Sequence, residues 1–400
     1  MNLKVQIPDQ IAEVDLLVTQ QANELSAMLH EHRLEMFPPD AQKTLRPFQL
    51  SEVAHYLGVT SGYLKNLSLE GRGPLPMVTP SGRRSYSAEQ MLEMRRFLDR
   101  HSRGIKYLPH RKNAEHLQVL AIVNFKGGSA KTTTAAHLAQ HLALTGHRVL
   151  AIDLDPQASL SALHGFQPEI DHNESLYEAL RYDDQRKPLS RLLKKTNFPG
   201  LDVVPANLEL QEYEYDTPLA LSRNDGTMGR VFFGRLDEAL ADVADDYDVV
   251  VIDCPPQLGY LTLTALSSST GILITVHPQM LDVMSMCQFL LMMGEVMGTL
   301  KRAGANTRLD WLRYLVTRYE PTDGPQGQMV AFMRAIFKQH VLVNEMLKST
   351  AISDAGITKQ SLYEVERTQF TRATYDRAME ALHRVNGEIA ELIHKAWGRH

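Results

Sequence analysis

Residues 119–134 have the sequence VLAIVNFKGGSAKTTT, in which an apolar run leads directly into a loop of small residues. The run at residues 119–123 is mostly β-branched, as expected of a strand that is buried on both faces of a sheet. The loop at residues 126–133 consists of glycine, serine, alanine, threonine and lysine. This stretch therefore predicts a buried strand, a tight loop and a helix that begins near Thr132.

The loop has the composition of a phosphate-binding loop. Small residues allow backbone N–H groups to converge on phosphate oxygens, and the following helix adds the positive end of its dipole. Lys131 is placed to neutralise the β- and γ-phosphates of a nucleotide, and the Thr132 hydroxyl is placed to bind Mg²⁺. The candidate nucleotide-binding residues of the loop are Lys126, Gly127, Gly128, Ser129, Ala130, Lys131, Thr132 and Thr133.

Two features of the loop depart from the common G-x-x-x-x-G-K-[ST] pattern. Ala130 occupies the position of the second glycine, so a lysine-containing turn before an ordinary helix is the alternative interpretation. Lys126 is an extra lysine, although one lysine is sufficient to hold a nucleotide. It suggests a charge that is delivered to the nucleotide of a partner, as an arginine finger does in trans.

Two later segments also end in carboxylates after apolar runs. Residues 148–157 are RVLAIDLDPQ, which places Asp153 and Asp155 at the end of a predicted strand. Residues 247–256 are YDVVVIDCPP, which places Asp253 at the end of another. Ligands of open α/β sheets bind at the carboxyl ends of the strands, so the acids and the loop are expected to lie together. Their combination disfavours the ordinary-turn alternative.

The motifs KGGSAKTTT, DLDPQ and VVVIDCPP together resemble the deviant Walker-box ATPases of the ParA/MinD superfamily, from about Leu117 to the C-terminus. The preceding region and the stretch ALTGHRVLAIDLDPQASLSALHGFQPE are similar to the RepA family of partition proteins from repABC-type bacterial plasmids. The resemblance implies an ATPase with ATP and Mg²⁺ as cofactors that works as a sandwich homodimer.

The resemblance also assigns catalytic roles. It implies that Lys126 crosses the dimer interface, that Lys131 binds the phosphates and that Asp155 orients the attacking water. For the metal it implies Thr132 as a ligand, and two acids: Asp153 to support the magnesium shell and Asp253 to act through a magnesium-bound water.

Two further strand ends are expected near the base. His277 and Pro278 end one predicted strand, so Pro278 is a candidate for shaping the base pocket. Arg318 follows the next strand and is a candidate to flank the adenine, as the resemblance implies.

Composition limits the class of protein. The chain has 400 residues and a net charge of −5, enough for two or three domains and not typical of a basic nucleic-acid coat. The two cysteines, Cys254 and Cys287, are not in a CxxC pair and support neither a disulfide framework nor a zinc site. No long apolar run suggests a signal peptide or a membrane span, so the expected compartment is the bacterial cytoplasm, with nucleoid association.

Four segments are expected along the chain. Residues 1–44 predict an amphipathic helix, which is either a dimerisation arm or a helix packed on its own domain. Residues 45–106 predict a winged helix-turn-helix domain, and residues 107–116 a linker. Residues 117–400 predict the ATPase domain.

The second segment carries candidate DNA contacts. Its apolar pattern predicts two helices joined by a turn at Gly58, the second of which would enter the major groove. Candidates near the start of that helix are Thr60, Ser61, Tyr63 and Lys65. Arg83 and Arg84 lie in a predicted wing and would meet phosphates or a minor groove. The alternative is a helical hairpin with a solvated basic loop.

Local charge supports DNA contact by this segment. Residues 65–112 contain eleven basic and four acidic residues, a net charge of +7. A helix is predicted after the wing, from about Leu92. Its basic side, which could also lie along DNA, consists of Arg95, Arg96, Arg100 and Arg103. One basic segment in an acidic chain indicates localised contact with nucleic acid.

The last segment alternates strand and helix patterns. Predicted strands are 118–124, 147–153, 201–204, 248–253, 271–276 and 312–317, and helices at 131–145, 229–244 and 280–299 separate most of them. This alternation predicts an α/β fold with a doubly wound, mostly parallel sheet. Candidates for non-specific DNA contact in an ATP-bound dimer, which the resemblance implies, are Lys348, Lys359, Arg367 and Arg372; each is alternatively a solvated surface charge.

The leading hypothesis is a plasmid partition ATPase that acts with a centromere-binding, ParB-like partner and represses its own operon through an operator. One rival is a membrane-cycling, MinD-like ATPase, for which residues 389–397 would have to be a membrane-binding helix. The other rival is a nucleotide-sensing transcription regulator with little turnover, which would not need the water-orienting Asp155.

Overall fold

The computed structural model describes residues 14–36, 43–102, 104, 106–112, 114–167, 173–222 and 229–399. By its internal contacts the chain forms two units, residues 1–43 and residues 44–400. In the first unit, helix α1 spans Val14–Met36. Its apolar side chains from Val14 to Met28 are 44–72% exposed. A helix is therefore present in the predicted arm; a role in dimerisation stays a prediction, and residues 1–13 lie outside the described part.

The second unit begins with two short helices, α2 (Leu50–Leu57) and α3 (Ser61–Leu69). Gly58 joins them with a φ of 66°, a left-handed conformation that glycine adopts without steric cost. The Thr60 hydroxyl accepts a hydrogen bond from the backbone N–H of Tyr63 (3.2 Å) and so caps α3. Leu64 is buried, so the tight turn holds α3 on α2 by its apolar side.

A small sheet follows in space. Its order is β1 (Phe48–Gln49), β3 (Arg84–Tyr86) and β2 (Met77–Val78), and both pairings are antiparallel. Helix α4 (Ala88–His101) begins at Ser87, whose side chain forms a reciprocal capping box with Gln90. The connection between β2 and β3 therefore projects from a sheet that is anchored on both sides.

A seven-stranded sheet forms the centre of this unit, in the order β10-β9-β4-β8-β5-β7-β6. The strands are β4 (Gln118–Val123), β5 (Val149–Asp153), β6 (Lys194–Lys195), β7 (Leu201–Val204), β8 (Val249–Asp253), β9 (Gly271–Val276) and β10 (Trp311–Val316). All neighbours pair in parallel except β6 and β7. The predicted mostly parallel sheet is confirmed; β6, with two residues, is too short to leave a periodic signal.

Helices cover both faces of the sheet. They are α5 (Lys131–Leu144), α6 (Ser159–Leu163), α7 (Tyr177–Leu180), α8 (Leu210–Ser222), α9 (Arg235–Ala241), α10 (Tyr260–Ser268), α11 (Met280–Arg302), α12 (Gly324–Phe337), α13 (Thr350–Ile357) and α14 (Arg372–Ala396). Short 3₁₀ turns lie at Leu189–Arg191, Gly229–Gly234, Lys338–His340 and Arg367–Gln369. Leu120 and Ile122 of β4 join one apolar core while Val119 and Ala121 join the other, as expected of a strand buried on both faces.

Arg95 corrects one expectation. It was predicted on a DNA-facing side of α4, but it is only 5% exposed. Its guanidinium donates to the backbone carbonyls of Tyr56 (2.5 Å) and of Leu144 at the end of α5 (3.3 Å). Arg95 therefore joins the helical module to the helix that follows the phosphate-binding loop. Arg96 and Arg100 are exposed, and Arg103 lies outside the described residues.

Two helices bear on membrane contact. Among the described residues, α11 is the one helix whose length and apolar composition would suffice to cross a membrane, a weak criterion that core helices of soluble proteins also meet. The predicted membrane-binding stretch at residues 389–397 lies in α14 and its end, where Ile389 and Ile393 are fully buried. The membrane-cycling hypothesis therefore loses the apolar surface on which it depended.

Candidate functional site

The loop between β4 and α5 lies where the sequence predicted it. Gly128 has a φ of 78° and Ala130, directly before α5, has a φ of 66°. Left-handed backbone is easy for glycine and strained for alanine, so Ala130 carries the strain that the departure from the common pattern implies. The Ser129 carbonyl accepts a hydrogen bond from the Thr317 hydroxyl (3.0 Å), which fixes the loop to the end of β10.

Lys131 is folded onto this loop. Its side chain is mostly buried, and Nζ donates to the Lys126 carbonyl at 3.3 Å. Burial lowers the pKa of Lys131, while the carboxylate of Asp253 acts to raise it. The ammonium group thus lies among the loop carbonyl groups and the acids, where the phosphates of a nucleotide would supply the missing countercharge.

The two strand-end acids lie side by side. Asp153 of β5 and Asp253 of β8 are register partners, and both are fully buried. Burial, and each carboxylate's repulsion of its neighbours, raises the pKa of Asp253 well above its usual value. A cation at this edge would remove the electrostatic cost of holding both groups ionised.

The donor set fits Mg²⁺. Neither carboxylate oxygen of Asp253 has a hydrogen-bond partner of standard geometry in the described part of the chain, although the nearby Thr132 hydroxyl lowers the pKa of Asp253. Across the described residues, no group of three or more His, Cys, Asp or Glu is arranged to hold a metal by itself. In nucleotide sites Mg²⁺ is usually bound by only one or two protein oxygens, together with substrate phosphates and water. Thr132 and Asp253 would hold the ion.

Ser161 is a site residue that sequence reasoning missed. The backbone N–H of Ser161 (2.8 Å) and its hydroxyl (2.7 Å) both donate to Oδ2 of Asp153. Oδ1 of Asp153 accepts from the backbone N–H of Asp155 (3.2 Å). Both carboxylate oxygens of Asp153 thus accept hydrogen bonds from the segment after β5. This arrangement suits a residue that supports the metal shell better than one that binds the metal directly. A serine in the stretch ASLSAL carries no motif that would have revealed this.

Asp155 lies at an open cavity. It is half-buried and lines a cavity of about 460 Å³ together with Pro156, Gln157 and the Pro255-Pro256 segment after β8. Its Oδ1 accepts from the backbone N–H of Gln157 (3.0 Å). The carboxylate is therefore oriented at the rim of the site and remains reachable by water.

The side chain of Lys126 is directed from the loop towards α11. Its Nζ lies 2.5 Å from Oδ1 of Asp282, in the first turn of α11. Oδ2 of Asp282 lies 3.6 Å from Nδ1 of His277, at the end of β9. The Lys126 backbone N–H donates to Oδ1 of Asn124 (3.0 Å). The extra lysine is therefore held by an acid of its own chain.

The two residues predicted to lie near the base are Arg318 and Pro278, and they occupy different places. Nη1 of Arg318 donates to the Gly128 carbonyl (3.1 Å), so this side chain contacts the loop itself. Pro278 is buried and lines a cavity of about 600 Å³ with Met280, Met329 and other residues of α11 and α12. An adenine ring would suit a cavity with such apolar walls.

The candidate DNA contacts of the N-terminal module are on its surface. Thr60, Ser61, Tyr63 and Lys65 are exposed on α3. Arg83 is exposed in the β2–β3 connection, whereas Arg84 is half-buried as the first residue of β3.

The candidates of the C-terminal part are not alike. Lys348 is bound to Glu320 at 2.8 Å, and Arg367 is bound to Asp376. Lys359 is half-buried, with a φ of 51°. Arg372 is exposed at the first turn of α14.

Comparisons with known proteins give the relatives of this chain. A family model described as an AAA domain matches residues 117–305. A protein of Sinorhizobium fredii named "Putative replication protein A" is 64% identical over 394 residues, which cover 98% of this chain and 97% of that protein. The chromosome partitioning protein ParA of Caulobacter vibrioides is 31% identical over 245 residues, 61% of this chain and 85% of that protein.

A solved structure adds the ligands. Cobyrinic acid a,c-diamide synthase of Mycobacterium smegmatis, with a bound ATP analog and magnesium, is 30% identical, has a TM-score of 0.50, and aligns with 60% of this chain and 94% of that chain. The sheet, the loop and the acids define a P-loop nucleotide-binding ATPase with ATP and Mg²⁺ as cofactors. The chain belongs to the ParA/MinD superfamily and, within it, to the RepA-like proteins.

Proposed function

We propose that the chain is a plasmid partition ATPase that hydrolyses ATP in a magnesium-dependent sandwich dimer. The observation that carries the proposal is the meeting of the phosphate-binding loop with Asp253, Asp153 and Asp155 at one edge of the sheet. The names of relatives, such as the chromosome partitioning protein ParA, also support a role in partition.

In the proposed reaction the phosphates lie on the N-terminus of α5, and Lys131 neutralises them. Mg²⁺, when bound, supplies positive charge against the developing charge of the transferred phosphoryl group. Asp155 orients the attacking water, and Asp153 holds the backbone of Asp155 in place. Lys126 leaves Asp282 and reaches the nucleotide of the partner subunit.

The test is ATP turnover by matched lysine variants. Lys131→Ala should lose turnover and nucleotide affinity, whereas Lys126→Ala should keep nucleotide affinity but lose turnover and ATP-dependent dimerisation. Lys301→Ala is the control, because Lys301 is an exposed lysine at the end of α11. Unchanged hydrolysis in Lys131→Ala would refute the nucleotide assignment. Absence of turnover in the wild-type protein, with DNA and partner present, would favour the sensor alternative.

We further propose two modes of DNA binding. The module formed by α2, α3 and the β2–β3 connection is a winged helix-turn-helix that binds an operator and represses its own operon. The ATP-bound dimer binds nucleoid DNA through basic residues of the C-terminal part, with strong salt dependence. A ParB-like, centromere-binding partner stimulates hydrolysis and releases the DNA, and the cycle takes place in the bacterial cytoplasm.

Footprinting on the upstream region tests the operator-binding part. The double variant Arg83→Ala, Arg84→Ala should lose protection while retaining ATP turnover. Arg302→Ala, at an exposed arginine of α11, is the matched control. Unaltered protection by the double variant would exclude the wing.

A further inference from the structure

A groove lined by four arginines and three acids lies between the N-terminal module, which consists of residues 44–102, and the last helix of the same unit. It has a volume of about 670 Å³ and runs between the start of α2, the β2–β3 connection and the start of α14. Its arginines come from distant parts of the sequence: Arg46, Arg83, Arg367 and Arg372. Arg83 was predicted as an operator contact, and the last two were predicted as non-specific DNA contacts. The fold thus brings candidates for both modes to one place.

Two of the four arginines of the groove form ion pairs with acids in its walls. Arg46 binds Glu52 (Nη2 to Oε1, 2.6 Å). Arg367 binds Asp376, another residue of the groove wall. Arg83 and Arg372 are exposed and have no ion-pair partner among the residues that the structure describes. One further acid, Glu366, also lines the groove. Two unpaired guanidinium groups facing one groove suit a polyanion with separated charges.

Of the two helix starts that border the groove, that of α14 favours the same ligand. α14 has 25 residues and begins at the groove with Arg372; no side chain in the described part caps its first turn, since the Thr371 hydroxyl donates to Thr374 instead. The free N–H groups of such a helix start bind phosphate oxygens. The start of α2 forms the opposite wall, but a capping box between Gln49 and Glu52 already satisfies its first N–H groups, so α2 adds no further phosphate site.

We propose that this groove binds the sugar–phosphate backbone of DNA in both modes, with Arg83 and Arg372 on the same strand. The proposal rests on the proposed function and deepens it. The operator-binding module and the C-terminal helices then form one DNA surface, so operator DNA and nucleoid DNA exclude each other on a protomer. The ATPase part contributes to operator affinity through Arg372.

Binding measurements on two labelled duplexes of equal length test this surface. One duplex is the region upstream of the gene, and the other has the same base composition in scrambled order. Affinities of the full-length protein with a non-hydrolysable ATP analogue are measured over a salt series. Arg83→Ala and Arg372→Ala should each weaken both duplexes about tenfold and reduce the salt slope by about one.

Controls separate charge from folding. Arg372→Lys keeps the charge and should keep the salt slope, and Arg302→Ala should behave as wild type. Lys65→Ala, on α3, should weaken the upstream duplex more than the scrambled one. Thermal unfolding and DNA-free ATP turnover of both groove variants should match wild type.

The outcomes discriminate. If Arg83→Ala affects the upstream duplex alone and Arg372→Ala the scrambled duplex alone, the two surfaces are separate and the groove proposal is wrong while the proposed function survives. If the wild-type protein does not prefer the upstream duplex, the operator part of the proposed function fails, and the effect of Arg83→Ala on scrambled DNA still decides the groove.

Discussion

Nζ of Lys126 lies 2.5 Å from Oδ1 of Asp282, so the extra lysine of the phosphate-binding loop is neutralised by α11 of its own chain. The lysine is 43% exposed and the aspartate 12%, so the pair sits at the edge of the site and not within the core. A partly exposed ion pair is weak and exchanges readily. Transfer of Lys126 to the phosphates of a partner subunit would therefore replace one countercharge by another.

Asp282→Asn should favour the dimer. Removing the carboxylate frees Lys126 without removing it. A partly exposed pair contributes up to about 1 kcal/mol, and the dimer frees two of these lysines, so ATP-dependent dimerisation should tighten by up to about 30-fold. Light scattering over a concentration series with a non-hydrolysable ATP analogue measures this. Asp354→Asn, an exposed acid of α13, is the control. Weaker dimerisation in Asp282→Asn would show that Asp282 acts in the dimer and does not restrain Lys126.

Ser161→Ala should lower both stability and turnover. The Ser161 hydroxyl donates to Asp153 and accepts from the backbone N–H of Ala206 (2.8 Å), so its loss removes this partner from the Ala206 N–H and leaves Asp153 with one hydrogen bond fewer. A cost of about 1–3 kcal/mol in the free energy of unfolding is expected from urea denaturation. Turnover should fall as well, since Asp153 positions Asp155. Ser353→Ala, at an exposed serine, should change neither quantity. If Ser161→Ala had the stability and the turnover of the wild-type protein, Ser161 would not position Asp153.

Substitutions at Ala130 test the strained loop. A left-handed alanine destabilises the folded protein by roughly 1–2 kcal/mol, and glycine would remove this strain. Glycine also raises the entropy of the unfolded chain, which opposes folding by about 0.4–1 kcal/mol. Ala130→Gly should therefore change stability little and retain ATP binding. Ala130→Val should lose ATP binding, because a β-branched residue is a severe outlier at a φ of 66°. Ala303→Val, at a φ of −80°, is the control. Normal affinity in Ala130→Val would show that the loop rearranges on binding nucleotide.

Buried histidines predict acid sensitivity. Burial lowers the pKa of His141 to about 3, of His147 to about 3 and of His383 to about 4. Above the unfolded-state pKa of about 6.5, each is neutral in both states and does not affect stability. As the pH falls below that value, the unfolded chain gains protons that the folded chain cannot take up, and stability drops by up to about 1.4 kcal/mol per pH unit and histidine.

Urea denaturation at pH 7.5 and 5.5 measures this loss. Other groups titrate over the same range, so the comparison is between wild type and His141→Gln, which removes one titrating group and should flatten the dependence. His101→Gln, at an exposed histidine, should leave it unchanged. An equal pH dependence in wild type and His141→Gln would mean that His141 is protonated in the folded protein.

Much of the central sheet could be predicted because its signals are local. Runs such as residues 119–123 and 249–252 are apolar throughout, which distinguishes strands buried on both faces, and each leads into candidate ligand-binding residues. The short β6 and the contacts of Ser161 left no such signal. Arg95 was misplaced because a basic residue on an amphipathic helix is usually solvated, whereas here backbone carbonyls of Tyr56 and Leu144 receive its guanidinium.

The amino-acid sequence alone was enough to predict the loop before α5, the acids at the strand ends and the alternation of strands and helices, since each depends on neighbouring residues and on the period of the backbone. The folded structure alone shows that Lys126 pairs with Asp282 and that Asp153 binds Ser161, and it places Arg83 and Arg372 in the walls of one groove. These contacts depend on how helices pack on the sheet, and packing is set by the shapes of surfaces that are far apart in the chain.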